Sequence, residues 1–454
     1  MKRHKPIRVA RVLLLILLAP ILALQAGCAR LEEGTPEESH PSEPWQVEMM
    51  TSWTAGSKAA THLGVMLAQL AKDRPDILVT HEGMPSADLR ARLTTRMATG
   101  NPPDLSWCVL SYAREYIKDG KIIDWRPVFD DPRHPEFRTW FDEKALSSVT
   151  LPDGRIIMVP QEASVDGLYY DTALFEQNGW RPPRTFVELL DLVGKAREKG
   201  MVGIAVGGKD MRFAWLASAL LVRTAGLQRS LDLCLGGVPS RYSDPLYGFP
   251  GAMERFKELV DAGAFSPNVL GMSAAEADEM FADNQAALYY EGAWKPDGFE
   301  VAGTYEFVER LARVGFPSIP GTPRDAGVNV GGNIIGFFIA DKLPEEQMQA
   351  CIEVAKRIAS PGFNIPIMEA GGFVYAGRAD YDESKVSPVM NQLIRAYREA
   401  DGFIPSMDAL VPPSVDLAIK QNAMPGILSG LYTVEQAVAE VERVAREYLD
   451  ASRR

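Results

Sequence analysis

Cysteine and histidine are scarce in this chain, four and five respectively among 454 residues. Besides Cys28, only Cys108, Cys234 and Cys351 occur, so at most one disulfide can form among the three, and no pair has metal-ligand spacing. Cys108 falls in an apolar strand pattern and Cys351 in a helical one, which makes buried free thiols of both. His40, His62, His81 and His134 are equally dispersed, without zinc-ligand spacing. Basic residues are in deficit, 48 against 60 acidic ones, for a formal net charge of −12. That balance excludes a nucleic-acid partner, which Lys and Arg would have to hold. No Gly-x-Ser-x-Gly elbow is present. The run from Gly203 to Gly208-Lys209 approaches a phosphate loop, but Asp210 stands where a Mg²⁺-binding hydroxyl belongs and would repel phosphate. Neither a cofactor nor a metal is expected. What is abundant is ordinary folding material: 46% apolar and 24% charged residues. The length exceeds the ~250–300 residues that one core supports, so two lobes are expected.

A single long apolar run, at 12–24, follows Lys2, Arg3, Lys5, Arg8 and Arg11 and ends at Gln25-Ala26-Gly27-Cys28. Spanning hydrocarbon takes ~20 residues, so 1–27 reads as a cleaved signal peptide rather than a membrane helix. The ending resembles a bacterial lipobox, which implies a lipidated Cys28. Gln25 departs from the usual Leu, and the alternative is that Cys28 merely marks where the signal ends. Residues 28–44, rich in Glu, Ser and Pro, read as a flexible tether.

Beyond the tether, strands and helices alternate. Residues 45–53, 76–80 and 104–110 have strand character, and Ala59, Leu63, Met66, Leu67 and Leu70 recur at helical spacing between the first two. Leu89, Leu93 and Met97 predict a helix that stops at Gly100-Asn101-Pro102-Pro103. Capping boxes at Thr185–Glu188 and Thr433–Gln436 open two more helices, the first with Phe186, Leu189, Leu190 and Val193 inward. This alternation predicts an α/β fold with parallel or mixed sheets under helices.

Several segments resemble one family in its own order. Met50-Thr-Ser-Trp53-Thr-Ala-Gly56 looks like the opening of the extracellular solute-binding proteins that serve ABC-type sugar importers. Leu93 to Asp104 is similar to their second helix and its turn, and Val159 to Asp171 to their crossover strand. Pro183-Arg-Thr185-Phe-Val-Glu188, Asp283 to Glu291-Gly292-Ala-Trp294, and Gly331-Gly332-Asn333 complete the set, spread over about 400 residues.

The resemblance implies a two-lobed periplasmic-binding-protein fold, type II-like, hinged by about three crossovers near 160–163, 316–319 and 360. Lobe 1 would comprise 45–162 plus 318–360, and lobe 2 163–317 plus 361–454. It implies a monomeric, extracytoplasmic protein, held to the membrane only through its lipid anchor. Such a protein captures a saccharide and passes it to ABC permease transmembrane subunits that work with a separate ATPase. Where the motifs fall, the ligand contacts would be Trp53, Lys58, Trp107, Glu162, Trp215, Trp294, Asn333 and Tyr375. For each tryptophan, and for Tyr375, the alternative is plain core packing. Lys58 stands near where a related subgroup carries a Glu; it would suit an acidic saccharide such as a uronate, or it is a solvated lysine on the first helix. A secreted carbohydrate-active enzyme and a sugar-sensing receptor of the same fold remain competing readings.

Overall fold

The computed structural model describes residues 43–452 apart from 142, 211, 236–240 and 323–326. The expected signal peptide, Cys28 and most of the tether lie outside the described residues. Strands form where β-branched and aromatic residues are bracketed by turn formers. In chain order they are β1 (Trp45–Thr51), β2 (Ile77–Gly83), β3 (Leu105–Val109), β4 (Val159–Val165), β5 (Gly167–Asp171), β6 (Val202–Ala205), β7 (Ala286–Glu291), β8 (Leu311–Val314), β9 (Val328–Ile339), β10 (Val374–Tyr375) and β11 (Gly402–Ile404). They make two mixed sheets, one ordered β10-β4-β9-β3-β1-β2 with β11 also on β9, the other β6-β7-β5-β8. Each sheet anchors one lobe of a two-lobed α/β fold.

Helices cover both sheets for the reasons their patterns predict. Lys58–Asp73 buries Ala59, Leu63 and Leu70, leaving Met66 and Leu67 half-buried. Ser86–Ala98 buries Leu89, Leu93 and Met97. It ends where Gly100 turns left-handed (φ 73°) and Asn101 N–H closes on the Arg96 carbonyl. Thr185 and Glu188 form a full capping box on Phe186–Glu198, and Thr433 and Gln436 exchange the equivalent bonds. One core gathers Met49, Leu93, Trp125, Phe337 and Ile358 in the first lobe. A second gathers Phe186, Phe213, Phe256 and Leu288. The third, around Tyr169, Phe299 and Leu393, takes in Val165 and Tyr375 and so spans both sheets. Cys108, Cys234 and Cys351 are buried and free. Among the described residues no helix is long and apolar enough to cross a membrane.

The passages between sheets differ from the expected 160–163 and 360. β4 stays paired with β9 as far as Val165 opposite Gly331, so the chain changes sheets at Asp166. The second passage lies between Val314 and Val328. At 360 the chain does not leave the first lobe. Ser360 caps the helix Pro361–Glu369, whose Phe363 and Ile367 join the first core, and β10 then pairs with β4. Only after Tyr375 does the chain reach the helix Pro388–Glu399, which packs Val389 and Leu393 into the third core.

Candidate functional site

The site grows from the place where β4 leaves the first sheet. Glu162 sits on β4 between two register shifts against β9, with Ile335 and Tyr375 as its neighbours across the strands. Trp107 reaches it from β3 and Trp53 from the turn after β1. Both indole N–H groups donate to Glu162 Oε1, at 3.1 Å from Trp107 and 3.3 Å from Trp53. All three side chains are buried. Burial pushes the Glu162 carboxyl up to about 7, against the pull of the two indole donors. Three sequence-predicted residues therefore meet, but in a different arrangement. Trp53 is enclosed by Phe337, Phe363 and Phe373, the last stacked at 14° and 6.5 Å, so its ring faces are occupied by protein.

Asp166, at the passage itself, accepts from Ser164 Oγ at 2.8 Å, and burial raises its carboxyl to about 7. Arg313 donates to the Asp166 carbonyl. Gly331 makes the tight crossing possible: a Cβ there would lie 2.0 Å from the Ser164 carbonyl oxygen, and its φ is 132°. Asn333 follows on β9, between the residues paired with Ser164 and Glu162; its side chain lies outside those described.

The second lobe contributes an aromatic wall. Trp215, in the first turn of the helix Phe213–Ala225, is buried in the second core, the packing role weighed for it, and meets the half-buried Trp294 edge to face at 5.0 Å between ring centres. The Arg212 guanidinium lies 4.2 Å over the Trp215 ring. Glu291, fully buried at the end of β7, faces Gly167 across the sheet. Arg212 Nε and Glu291 Oε1 stand 3.6 Å apart, and neither atom has a hydrogen-bond partner among the described residues. Trp215 Nε1 donates to Asp408 Oδ2 at 3.3 Å. Burial pushes the Asp408 carboxyl up, but Lys420 and Arg90 outweigh it, with help from the Ser406 and Trp215 donors, and hold it down to about 2. Arg90 belongs to the first lobe and stands 3.9 Å from Asp408, so this ion pair bridges the lobes.

Two other expected contacts serve the frame. Lys58 Nζ bonds Glu300 Oε1 at 3.1 Å, and its backbone N–H reaches Asp297 Oδ2 at 3.4 Å. It thus ties the first helix to the helix Lys295–Ala302, and the cation proposed to select an acidic saccharide is already engaged. Tyr375 is buried, with its hydroxyl donating to the Ala359 carbonyl at 2.7 Å. Near-phosphate-loop glycines have a packing reason too: a Cβ on Gly208 would lie 2.3 Å from the Val269 carbonyl oxygen, while Asp210 accepts from Ala274 N–H.

Sequence reasoning missed Arg212, Asp408 and Arg90 and did not assign Asp166 or Glu291 to the site. Arg212 had a signal, since it precedes Trp215 by one helical turn; Asp408 had none. Chemically, these residues offer the partly open indole of Trp294 together with carboxylate acceptors and a guanidinium donor. That combination suits a ligand with apolar C–H faces and many hydroxyls.

The bacterial extracellular solute-binding protein family matches residues 66–389. A relative in Mesorhizobium japonicum, named a "probable sugar-binding periplasmic protein", is 23% identical over 421 residues, 89% of this chain and 94% of that one. The diacetylchitobiose binding protein NgcE of Streptomyces coelicolor is 26% identical over 255 residues, 53% of this chain and 51% of that protein, so the match spans about half of each. Among solved structures, a chitin oligosaccharide binding protein superposes with a TM-score of 0.78 at 23% identity, over 89% of this chain and 99% of that one. With the family match running through strands of both sheets and over more than half of its length, the chain belongs to the bacterial extracellular solute-binding proteins.

Proposed function

We propose that this protein captures a saccharide between its lobes outside the cytoplasm and delivers it to the transmembrane subunits of an ABC importer, while a lipid on Cys28 keeps it at the membrane. The observation that carries the reading is the half-buried indole of Trp294 on the second lobe, braced edge to face by the buried Trp215, and Glu162, held by two indole N–H groups on the first lobe, supplies a carboxylate. Sugar rings stack by their C–H faces on indoles, and their hydroxyls donate to carboxylates. The names of the Mesorhizobium and Streptomyces relatives support the same ligand class. Ligand that touches both lobes favours the closed arrangement by its differential affinity, which gives a permease something to recognise. A dissociation constant near 1 μM, about −8.2 kcal/mol, suffices for capture and still allows release.

A thermal-shift screen of mono- and oligosaccharides tests the reading. Ligand at ~100 times its dissociation constant adds ~2.7 kcal/mol of stability. Silence across saccharides, with a response to peptides or metal ions, would overturn it. Anchoring is tested separately: Cys28→Ser is expected to release the protein from membranes into the soluble fraction.

A further inference from the structure

Beyond Asp408 the lobes enclose a cavity of about 330 Å³. One wall is the helix Leu110–Lys118 of the first lobe, carrying Tyr112 and Arg114. The opposite wall comes from the segment around Asp408–Asp416 and from Tyr448 on the helix Val434–Ser452. Six charged side chains line it, and five have a partner of opposite charge. Arg90 pairs with Asp408 at 3.9 Å, Lys118 with Glu115 at 3.0 Å, and Asp416 with Lys420 at 2.9 Å. Arg114 alone has no ion pair or hydrogen bond among the described residues, although it is half-buried and burial lowers its pKa. A guanidinium drawn partly out of water without a counter-charge is unfavourable until something completes it, and its planar fork matches a carboxylate.

We infer that the cavity receives the terminal uronosyl unit of an acidic oligosaccharide, with the sugar carboxylate paired to Arg114 and a neighbouring unit lying on the half-buried Trp294. This deepens the saccharide reading above and rests on it. Asp408 connects the two places, since it accepts from Trp215 Nε1 and also lines the cavity. The volume lies at the small end of the ~300–1,000 Å³ usual for ligand sites, room for a terminal unit rather than a whole chain. Tyr112 supplies an aromatic surface of the kind that sugars stack on. Asp408 and Asp416 do not bar an anion, because Arg90 and Lys420 stand against them. With walls from both lobes, a ligand seated here also favours closure.

The test is calorimetric titration with oligosaccharides that end in a uronosyl unit, each against the same saccharide with its carboxyl reduced to the alcohol. The wild type is expected to bind the acidic member about tenfold or more tightly than its neutral match. Arg114→Gln is expected to bring the acidic member to within about twofold of its match, and Arg114→Lys to restore part of the preference. The melting temperature of each unliganded variant reports whether it is folded. Equal or better binding of the neutral member by the wild type overturns the inference, as does a preference that survives in folded Arg114→Gln. If neutral saccharides bind and Trp294→Ala abolishes that binding, the saccharide reading stands even where the acidic preference fails. Binding of neither member overturns both.

Discussion

The indole nitrogen of Trp107 donates to Glu162 Oε1 at 3.1 Å, and Trp53 donates to the same oxygen at 3.3 Å. Two tryptophans expected to contact ligand thus orient a carboxylate. A hydrogen bond to an ionised group contributes about 1.5–3 kcal/mol, whereas one to a neutral acid contributes about half that. Trp107→Phe, which keeps most of the ring and loses the donor, is expected to cost about 1–3 kcal/mol in urea unfolding at pH 8 and measurably less at pH 5.5. An equal cost at both values would mean that the indole does not act on the charged carboxylate.

Acid should stabilise this protein before it destabilises it. Burial raises Glu162 and Asp166 from ordinary values of 4.5 and 3.8 to about 7, and Asp416 from 3.8 to about 6. Between pH ~4.5 and ~7 the folded state then holds more protons than the unfolded one, so stability falls as pH rises through that window. Glu162 alone contributes on the order of 3 kcal/mol across it. His81 works the other way, since burial lowers its pKa, but it is one group against these carboxylates and against Asp104 and Asp297, which burial also raises. Asp408, held down to about 2, loses stability only below about pH 4. The melting temperature is expected to be higher at pH 5.5 than at pH 8, and Glu162→Gln to flatten that slope. A wild-type profile rising from pH 5.5 to 8 would contradict it.

Local patterns were readable and remote partnerships were not. Leu89, Leu93 and Met97 form the buried face of one helix because the 3.6-residue period alone decides which side they share. Thr185 and Glu188 lie three apart, so their mutual capping needs no distant chain. The fate of Trp53 depends on Glu162, 109 residues away, and that of Trp215 on Asp408, 193 residues away. No period links such pairs. The passage at Asp166 was misplaced for the same reason, since β4 ends where its partner β9 lets it end, at Gly331. Glu291 and Trp294 shared a recognisable segment, yet only the fold set Arg212 against both the Glu291 carboxylate and the Trp215 ring that packs on Trp294.

Lys58 and Glu300 join the lobes at 3.1 Å with about a third of each side chain exposed. Water screens such a pair, so it contributes about 0.2–1 kcal/mol. Lys58→Ala and Glu300→Ala are each expected to shift unfolding by under about 1 kcal/mol. Their larger effect is expected on closure, as a greater radius of gyration for the unliganded protein in solution scattering. A double-mutant cycle with coupling indistinguishable from zero, and no change in scattering, would show that the pair does not hold the lobes.

Gly331 cannot take a side chain without moving β4. Its Cβ would sit 2.0 Å from the Ser164 carbonyl oxygen, at a φ of 132° that L-residues avoid. Gly331→Ala is expected to cost more than about 2 kcal/mol or to prevent soluble expression, because both strain and overlap must be relieved. A variant with wild-type melting temperature would show that the crossing is softer than its geometry implies.

Trp294 offers the sharpest separation of binding from stability. It is half-buried and meets Trp215 edge to face at 5.0 Å, whereas Trp125 is wholly enclosed in the first core. A sugar face covering about 80 Å² of indole gains about 2 kcal/mol, roughly thirtyfold in affinity. Trp294→Ala is therefore expected to weaken saccharide binding at least thirtyfold while leaving most of the folding stability, with Trp294→Phe intermediate. Trp125→Ala is expected to do the reverse, costing about 3–5 kcal/mol of stability through the cavity it opens, with affinity unchanged in whatever fraction folds. If Trp294→Ala unfolds the protein as Trp125→Ala does, or binds saccharide as tightly as the wild type, the aromatic wall belongs to the core and the ligand lies elsewhere.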